Sequence, residues 1–194
     1  MAVRRFIRTS TMTSTDLSAD CARCAALCCV ALAFDRSPLF AFDKAAGEPC
    51  ENLGPRGRCR IHAERAATGF VGCAAYDCLG AGQAVTQDMF AGASWQDDPA
   101  LLAPMMRAFA VMRPAREALG LLRQAGRMTL PEGMEQDLAA LERTLDPQEG
   151  WSLADVRSGR IERATEAARA FLRSLAPLLE SGATRAGARR RCGP

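Results

Sequence analysis

The chain has 194 residues, 48% of them hydrophobic, and a formal net charge of +3. This length suits one ordinary domain, or a small metal-stapled unit joined to a modest helical unit. Acidic and basic residues are interspersed, which argues against a large field directed at nucleic acid or at an anionic membrane. No apolar run reaches the ~18 residues of a membrane-spanning helix.

The N-terminal segment does not have the pattern of a secretory signal. Its arginines precede a Ser/Thr-rich stretch and not an apolar core, so we predict a disordered arm over residues 1–18, with Met12 as an alternative start. The apolar run of residues 24–34 contains a small-residue motif like a cleavage site, but a signal there would discard four cysteines. We therefore predict a cytoplasmic protein.

Residues 19–34 contain no Gly or Pro and many Ala and Leu, which predicts a helix. Cys21, Cys24 and Cys28 follow one another at i, i+3 and i+7. On a helix these positions share a face, with Cys29 to one side. The spacing thus predicts a row of three thiols that converge on a shared metal site.

The next segments are short and punctuated by glycine and proline. Residues 39–42 are apolar and predict a strand or an extended piece, whereas residues 47–58 must form a loop. Residues 61–68 suit a short helix ended by Gly69. If that helix already includes Cys59, then Cys59 and His62 lie one turn apart.

The C-terminal half has ordinary helical patterns. Asp97-Asp98-Pro99 is typical of a helix start, and the apolar face that follows is broken near Pro114, with a further helical segment to about residue 127. Two more helices are predicted over residues 131–145 and 152–179, the latter with a capping-box-like start at Ser152 and Asp155.

The predicted fold is mainly α, with a small irregular cysteine-rich metal-binding unit packed with a C-terminal bundle of about three to four helices. Its predicted divisions are the arm at 1–18, the cysteine-rich unit at 19–95, the helical region at 96–181 and a basic flexible tail at 182–194.

The chemically informative residues are eight of the nine cysteines and the only histidine. Zinc and iron–sulfur sites need several thiolates that converge on a metal from two or three chain segments. Disulfides and plain core packing are the alternatives, while two four-coordinate sites or one cluster with spare thiols both fit the number of ligands. The candidate metal ligands are Cys21, Cys24, Cys28, Cys29, Cys50, Cys59, His62, Cys73 and Cys78.

The motifs C-x2-C-x3-C-C, C-x8-C-R-I-H and G-F-x-G-C-x4-C resemble the zinc- or iron-chelating proteins named for their CxxCxxCC motif (YkgJ-like proteins). The resemblance covers about residues 21 to 78, and it implies that the family's metal ligands correspond to the eight cysteines named above. This chain departs from the motif because three residues, instead of two, separate Cys24 from Cys28. It also has His62 where the family more often has an aromatic residue.

Some actinobacterial relatives with the F-D-K, G-E-P-C and Y-D-C-x-G-A-G-Q words found here are labelled pentapeptide-repeat proteins. This chain has no run of pentapeptides. The label therefore predicts nothing about its fold.

Other chemistries find less support in the sequence. There is no G-x-G-x-x-G, phosphate loop or C-x-x-C-H haem motif, and a hydrolase triad would need a histidine outside the thiols. Asp35, Asp43 and Asp77 suit turns better than acid–base roles. Isolated Cys192 is predicted to be a free, exposed thiol. A methionine-rich face suits core packing better than copper or a partner helix, and comprises Met105, Met106, Met112 and Met134.

Two functions of different class follow. The first is a metal-binding protein that holds zinc or iron, with an iron–sulfur cluster as one form. Its helical region either completes the core or recruits a protein partner. The second is an iron–sulfur or thiol-based redox enzyme or sensor, in which a pair such as Cys28-Cys29 performs the chemistry. The sequence leaves the catalytic residues, the process and the oligomeric state open.

Overall fold

The computed structural model describes residues 15 to 178. The fold is mainly helical, as predicted, and a cysteine-rich part made of short pieces packs against longer C-terminal helices. The predicted start of the arm, including Met12, and the predicted basic tail with Cys192 lie outside the described residues.

The helices have very different lengths in the two parts of the chain. The first part has α1 (Leu27–Ala31), α2 (Val71–Ala75) and α3 (Ala81–Ala84), the last continued by a π-helical turn at Val85–Met89. The second part has α4 (Leu102–Ala125), α5 (Met134–Leu145), α6 (Leu153–Arg157) and α7 (Arg160–Ser174). Short 3₁₀ helices lie at Cys21–Arg23, Pro55–Gly57, His62–Glu64 and Pro99–Leu101.

The single helix predicted over residues 19–34 is wrong. A 3₁₀ turn at Cys21–Arg23 is separated from α1 by Ala26, whose φ of 55° lies in the left-handed region. That conformation costs an L-residue free energy and ends any continuous helix. Cys21, Cys24 and Cys28 are therefore not a row on one helical face, and their convergence has another origin.

Residues 34–44 form a compact turn held by isolated bridges, Phe34 with Lys44 and Ser37 with Phe40. The strand or extended piece predicted at 39–42 is therefore part of a turn, with Phe40 as its one bridged residue. Four aromatic rings pack above it, with the Phe34 and Phe40 rings stacked at 4.4 Å. Gly72 in α2 admits the Phe40 ring, because a Cβ atom at this position would collide with it. The cluster comprises Phe34, Phe40, Phe42 and Phe70.

The predicted start of α4 is confirmed, whereas the predicted break at Pro114 is wrong. Asp98 caps the 3₁₀ turn that leads into α4, and its Oδ1 accepts a hydrogen bond from the Ala100 N–H at 3.0 Å. The helix continues through Pro114 to Ala125. Pro114 cannot donate to the Ala110 carbonyl, but Ala110 is exposed and water can satisfy that group.

The last predicted helix is divided into α6 and α7 at Gly159, which has a φ of 70°. Its predicted capping box is confirmed: the Ser152 hydroxyl and backbone N–H bind the Asp155 carboxylate, and the Asp155 N–H donates to Ser152 Oγ at 3.3 Å. The helix predicted at 131–145 is present as α5.

The core is built around α4, which contacts α1, α3, α5 and α7. Met105 and Met112 are fully buried there, which supports the core interpretation of the methionine-rich face. Cys24, Cys28 and Cys78 pack against the same core. The cysteine-rich part and the helical region therefore share one hydrophobic cluster.

Residues 15–18, which the sequence places in the arm, contact the helical region. The Asp146 carboxylate accepts hydrogen bonds from the Thr15 N–H and hydroxyl, and Arg123 Nη1 donates to the Thr15 carbonyl at 2.7 Å. Arg123 Nη2 also pairs with Asp146 at 2.9 Å, and Leu17 packs against the core.

No helix between residues 15 and 178 combines the length and the apolar character that crossing a membrane requires.

Candidate metal centre

Four cysteines from distant parts of the chain line one small cavity. Cys21, Cys24 and Cys28 come from the N-terminal segment, and Cys78 follows α2. We call these four residues the first thiol group. The cavity has a volume of about 20 Å³, comparable to the roughly 10–15 Å³ needed for a single water-sized sphere.

Hydrogen bonds between the N-terminal segment and α3 bring the first thiol group together. The Asp20 N–H donates to Gln83 Oε1 at 2.5 Å, and Gln83 Nε2 donates to the Ser18 carbonyl at 2.9 Å. Farther along, the Ala25 N–H donates to Thr86 Oγ1 at 3.0 Å. These bonds hold Cys21 and Cys24 beside the helix that begins just after Cys78.

Gly82 provides the space that the Cys24 thiol occupies. A Cβ atom at this position would lie 2.5 Å from Cys24 Sγ, so no larger residue fits without movement. The backbone of Gly82 is helical, and the glycine is therefore required by the close approach of the sulfur and not by its φ angle. α3 thus forms a wall of the cavity.

The environment of the first thiol group sets the charge of its sulfur atoms. Burial raises the pKa of Cys24 to about 11, while the backbone N–H groups of Leu27 and Ala26, directed at this sulfur, oppose the rise. Burial, followed by the neighbouring Cys78 thiol, also raises the pKa of Cys21. A cation in the cavity would reverse this preference, because a metal favours the thiolate.

The other four cysteines of the cluster form a second thiol group, defined as Cys29, Cys50, Cys59 and Cys73. The Cys50 N–H donates to the Cys29 carbonyl at 2.9 Å, and Cys59 pairs with Leu53 in an isolated bridge three residues after Cys50. Burial is the main cause that raises the pKa of Cys50 and Cys73; Cys29 and Cys59 add to the rise at Cys50, and Cys29, Cys50 and Cys59 add to the rise at Cys73.

Two cations lie beside the second thiol group. Buried Lys44 donates from Nζ to the carbonyls of Val30 at 3.0 Å, Leu32 at 2.6 Å and Ala45 at 3.0 Å, which closes the C-terminal end of α1. Arg65 donates from Nη1 to the Cys73 carbonyl at 3.2 Å. Their positive charges favour an ionised thiol nearby.

The two groups meet at the adjacent residues Cys28 and Cys29, whose sulfur atoms are 4.0 Å apart. The interaction with Cys28 lowers the pKa of Cys29 to about 7, helped by Lys44 and Arg65, although burial opposes the change. The same interaction, together with burial, raises the pKa of Cys28 well above its usual value. Of these two thiols, Cys29 therefore loses its proton more readily.

The histidine lies at the surface beside Cys59 of the second thiol group. His62 is exposed and begins a 3₁₀ helix, and its N–H donates to the Cys59 carbonyl at 3.3 Å. The condition for the predicted one-turn relation, a helix that already includes Cys59, is not met, although this backbone bond joins the two residues across a single turn. Asp43 and Asp77 accept backbone N–H bonds from Arg36 and Leu79, as expected of turn residues.

Eight cysteines in the described part of the chain are free thiols. Within residues 15–178, no three His, Cys, Asp or Glu side chains already stand in an arrangement that could hold a metal ion. Binding would therefore require the thiols to rotate inward. Cys21 is the exposed member of the first thiol group, and the donor chemistry of each group suits zinc or iron.

Sequence reasoning missed three residues that shape the centre: Lys44, Arg65 and Gly82. Lys44 is the single lysine of the chain, which is a detectable signal. Local sequence could not predict that Lys44 is buried or that Gly82 contacts Cys24. Lys44 contacts the end of α1, and Gly82 contacts Cys24, across distant segments of the chain.

The comparisons with known proteins give one informative similarity. The chain is 42% identical over 123 residues to a Bacillus subtilis (strain 168) protein described as "Uncharacterized protein YybG". The match covers 63% of this chain and 44% of the relative, so the chain spans less than half of the relative's length. No protein-family model matches the chain. No solved structure matches it either.

Proposed function

We propose that this chain is a metal-binding protein that holds zinc or iron through its cysteine-rich part. The observation that carries the proposal is the cavity of the first thiol group, where residues near position 25 meet Cys78. Free thiols gathered from distant segments around a space of atomic size are what a thiolate metal site requires. Gly82, which leaves room for one of these sulfurs, supports the same conclusion.

Metal binding by these cysteines needs no oxidation or reduction of the thiols. Thiolates bind zinc or an iron–sulfur cluster, and binding displaces protons from thiols whose pKa burial holds high. The metal would add a crosslink between segments that hydrogen bonds already hold together. On this proposal the resemblance to the CxxCxxCC proteins reflects a shared set of cysteine ligands.

The direct experiment is metal analysis of anaerobically purified protein together with its visible spectrum. Zinc gives a colourless protein, whereas an iron–sulfur cluster absorbs visible light and bleaches on reduction. We expect C24S and C59S to lower both the bound metal and the thermal stability, because site formation contributes to the free energy of folding. C192S is the matched control, since Cys192 is remote from the cluster in sequence.

Metal-free protein of unchanged stability after purification with added zinc and iron would contradict the proposal. So would full metal content in both C24S and C59S.

A second candidate is a redox enzyme or sensor, favoured by the 4.0 Å separation of the Cys28 and Cys29 sulfurs. Oxidation of this pair by glutathione disulfide would form one S–S bond and transfer two electrons and two protons, giving two glutathione thiols. A thiol count that falls by about two, and recovers with reductant, would favour this function. An unchanged count would argue against it.

The cytoplasm is the compartment that we propose, because free thiols persist in a reducing environment. We also propose that the helical region contacts a protein partner. Leu121 on α4 supports this second point, since half of its surface is exposed.

A further inference from the structure

We infer that the eight clustered cysteines form two separate four-thiolate metal centres, the first thiol group making one and the second thiol group the other. This inference rests on the proposed metal binding and adds the assignment of each ligand. The two centres would be joined directly through the backbone between Cys28 and Cys29. Neither the spacing of the cysteines nor the resemblance to other proteins makes this division.

In chain order, the ligands of the first group enclose all four ligands of the second group, so the two centres would be nested. The chain supplies Cys21, Cys24 and Cys28 to the first group, then all four members of the second group, and returns to the first group with Cys78. The first centre would therefore close the loop between Cys28 and Cys78, which contains every ligand of the second centre. Such closure gives short, glycine-rich segments the crosslinks that their small apolar core cannot supply.

The geometry of α1 separates the two adjacent cysteines. Successive side chains of an α-helix point about 100° apart. Cys28 lines the cavity with the rest of the first thiol group, whereas Cys29 does not line it. The Cys29 carbonyl instead accepts the Cys50 N–H, which ties Cys29 to the second group.

The two groups also differ in what surrounds them. The first borders the helical core, since Phe109 of α4 and Gly82 of α3 line its cavity. The second lies with Lys44 and Arg65, whose charges act on Cys29. A zinc ion with four thiolates carries a net charge of about −2, so two neighbouring centres need nearby positive groups, and these two cations are in place.

The first test counts metal ions on the intact chain. Native mass spectrometry after addition of Zn²⁺ alone, under reducing conditions, should give about two ions per chain. The double variant C24S/C78S should keep about one ion, and C59S/C73S should also keep about one, because each removes ligands of a single centre. Circular dichroism verifies that each variant is folded.

A second test leaves every thiol in place. In G82A the new Cβ would press on Cys24 Sγ and weaken only the first centre, so the second Zn²⁺ equivalent should bind as in the wild type. G126A is the matched control. Its Cβ meets the Leu138 side chain at an ordinary 3.5 Å, and both ions should remain.

The outcomes distinguish this inference from the proposed function. A wild-type chain that binds no Zn²⁺ and no iron overturns both. A chain that binds about one ion, lost in either double variant, keeps the metal-binding function and overturns the division into two centres. Loss of both ions in G82A, with G126A unaffected, would likewise show one shared centre.

Discussion

At the scale of single residues, Lys44 stabilises the end of α1, the helix that carries Cys28 and Cys29. Its ammonium group is buried and donates to three backbone carbonyls. Hydrogen bonds that involve a charged group contribute roughly 1.5–3 kcal/mol each. Lys44 is therefore expected to be among the most sensitive polar positions of the molecule.

We expect K44M to lower the free energy of unfolding by about 2–4 kcal/mol, because the carbonyls at the end of α1 lose a charged donor. Urea denaturation of the metal-loaded protein measures the change. R127M removes an exposed cation and should change stability by less than about 0.5 kcal/mol. Equal stability of the two variants would show that the three Lys44 contacts contribute nothing.

His62 gives a second residue-scale prediction. In the two proposed centres the eight thiols complete two four-ligand sets, and His62 is exposed beside Cys59. We therefore expect H62A to bind as much Zn²⁺ as the wild type, as measured by metal analysis after gel filtration. Loss of about one metal equivalent would instead make His62 a ligand, in place of one of the four thiols of the second group.

At the scale of elements, the capping box of α6 is a compact local structure with a defined pH dependence. Ser152 and Arg160 hydrogen bonds lower the pKa of Asp155, with the Ser152 bond the largest cause. A carboxyl group with a depressed pKa in the folded state stabilises the fold above its unfolded value, here 3.8. This stabilisation is lost as the pH falls through the folded-state value.

We expect S152A to lower the free energy of unfolding by about 1 kcal/mol at pH 7, since it removes the N-cap. The difference from wild type should shrink as the pH falls below 3.8 and through the lower folded-state pKa of Asp155, because the carboxylate then becomes protonated in both proteins. Chemical denaturation of both proteins, at pH 7 and at a pH below the folded-state pKa of Asp155, measures this difference. S158A, which lacks only a hydroxyl bond to the Asp155 carbonyl, is the control; a difference independent of pH would contradict the carboxylate's role.

The elements also show where sequence reasoning works. The capping box, the start of α4 and the end of α5 at Leu145 depend on neighbouring residues, and local patterns predicted all three. The predicted helix over residues 19–34 had good propensity throughout, yet Ala26 adopts a left-handed conformation. Tertiary contacts fix that turn: Trp95 donates to the Ala25 carbonyl at 2.7 Å, and Thr86 accepts the Ala25 N–H.

The candidate site follows the same rule. The composition of the cluster could be predicted because eight cysteines and one histidine in a short span are visible in any sequence. The grouping of Cys78 with Cys21, Cys24 and Cys28 could not, since it depends on hydrogen bonds between the N-terminal segment and Gln83. Helical periodicity assigned three of these thiols to one site by a geometry that the chain does not adopt.

At the scale of the whole molecule, the cysteine-rich unit and the helical region differ in structure, but we expect them to unfold together. Leu27 and Val85 share one core cluster with Phe109 and Leu119 of α4, and Arg123 holds Thr15 against Asp146. A contiguous core usually unfolds in one cooperative transition. Metal removal should therefore destabilise the entire chain.

The two tryptophans make this expectation measurable, because each reports on a different part. Trp95 donates to the Ala25 carbonyl beside the first thiol group, and buried Trp151 donates to the Leu145 carbonyl at the end of α5. In W151F and W95F, the remaining fluorescence should give coincident midpoints with metal bound. After chelation both midpoints should shift downward together, since metal binding contributes to one folding equilibrium. An early transition at Trp95 with an unchanged one at Trp151 would instead identify two independently stable units, with the metal stabilising only the first.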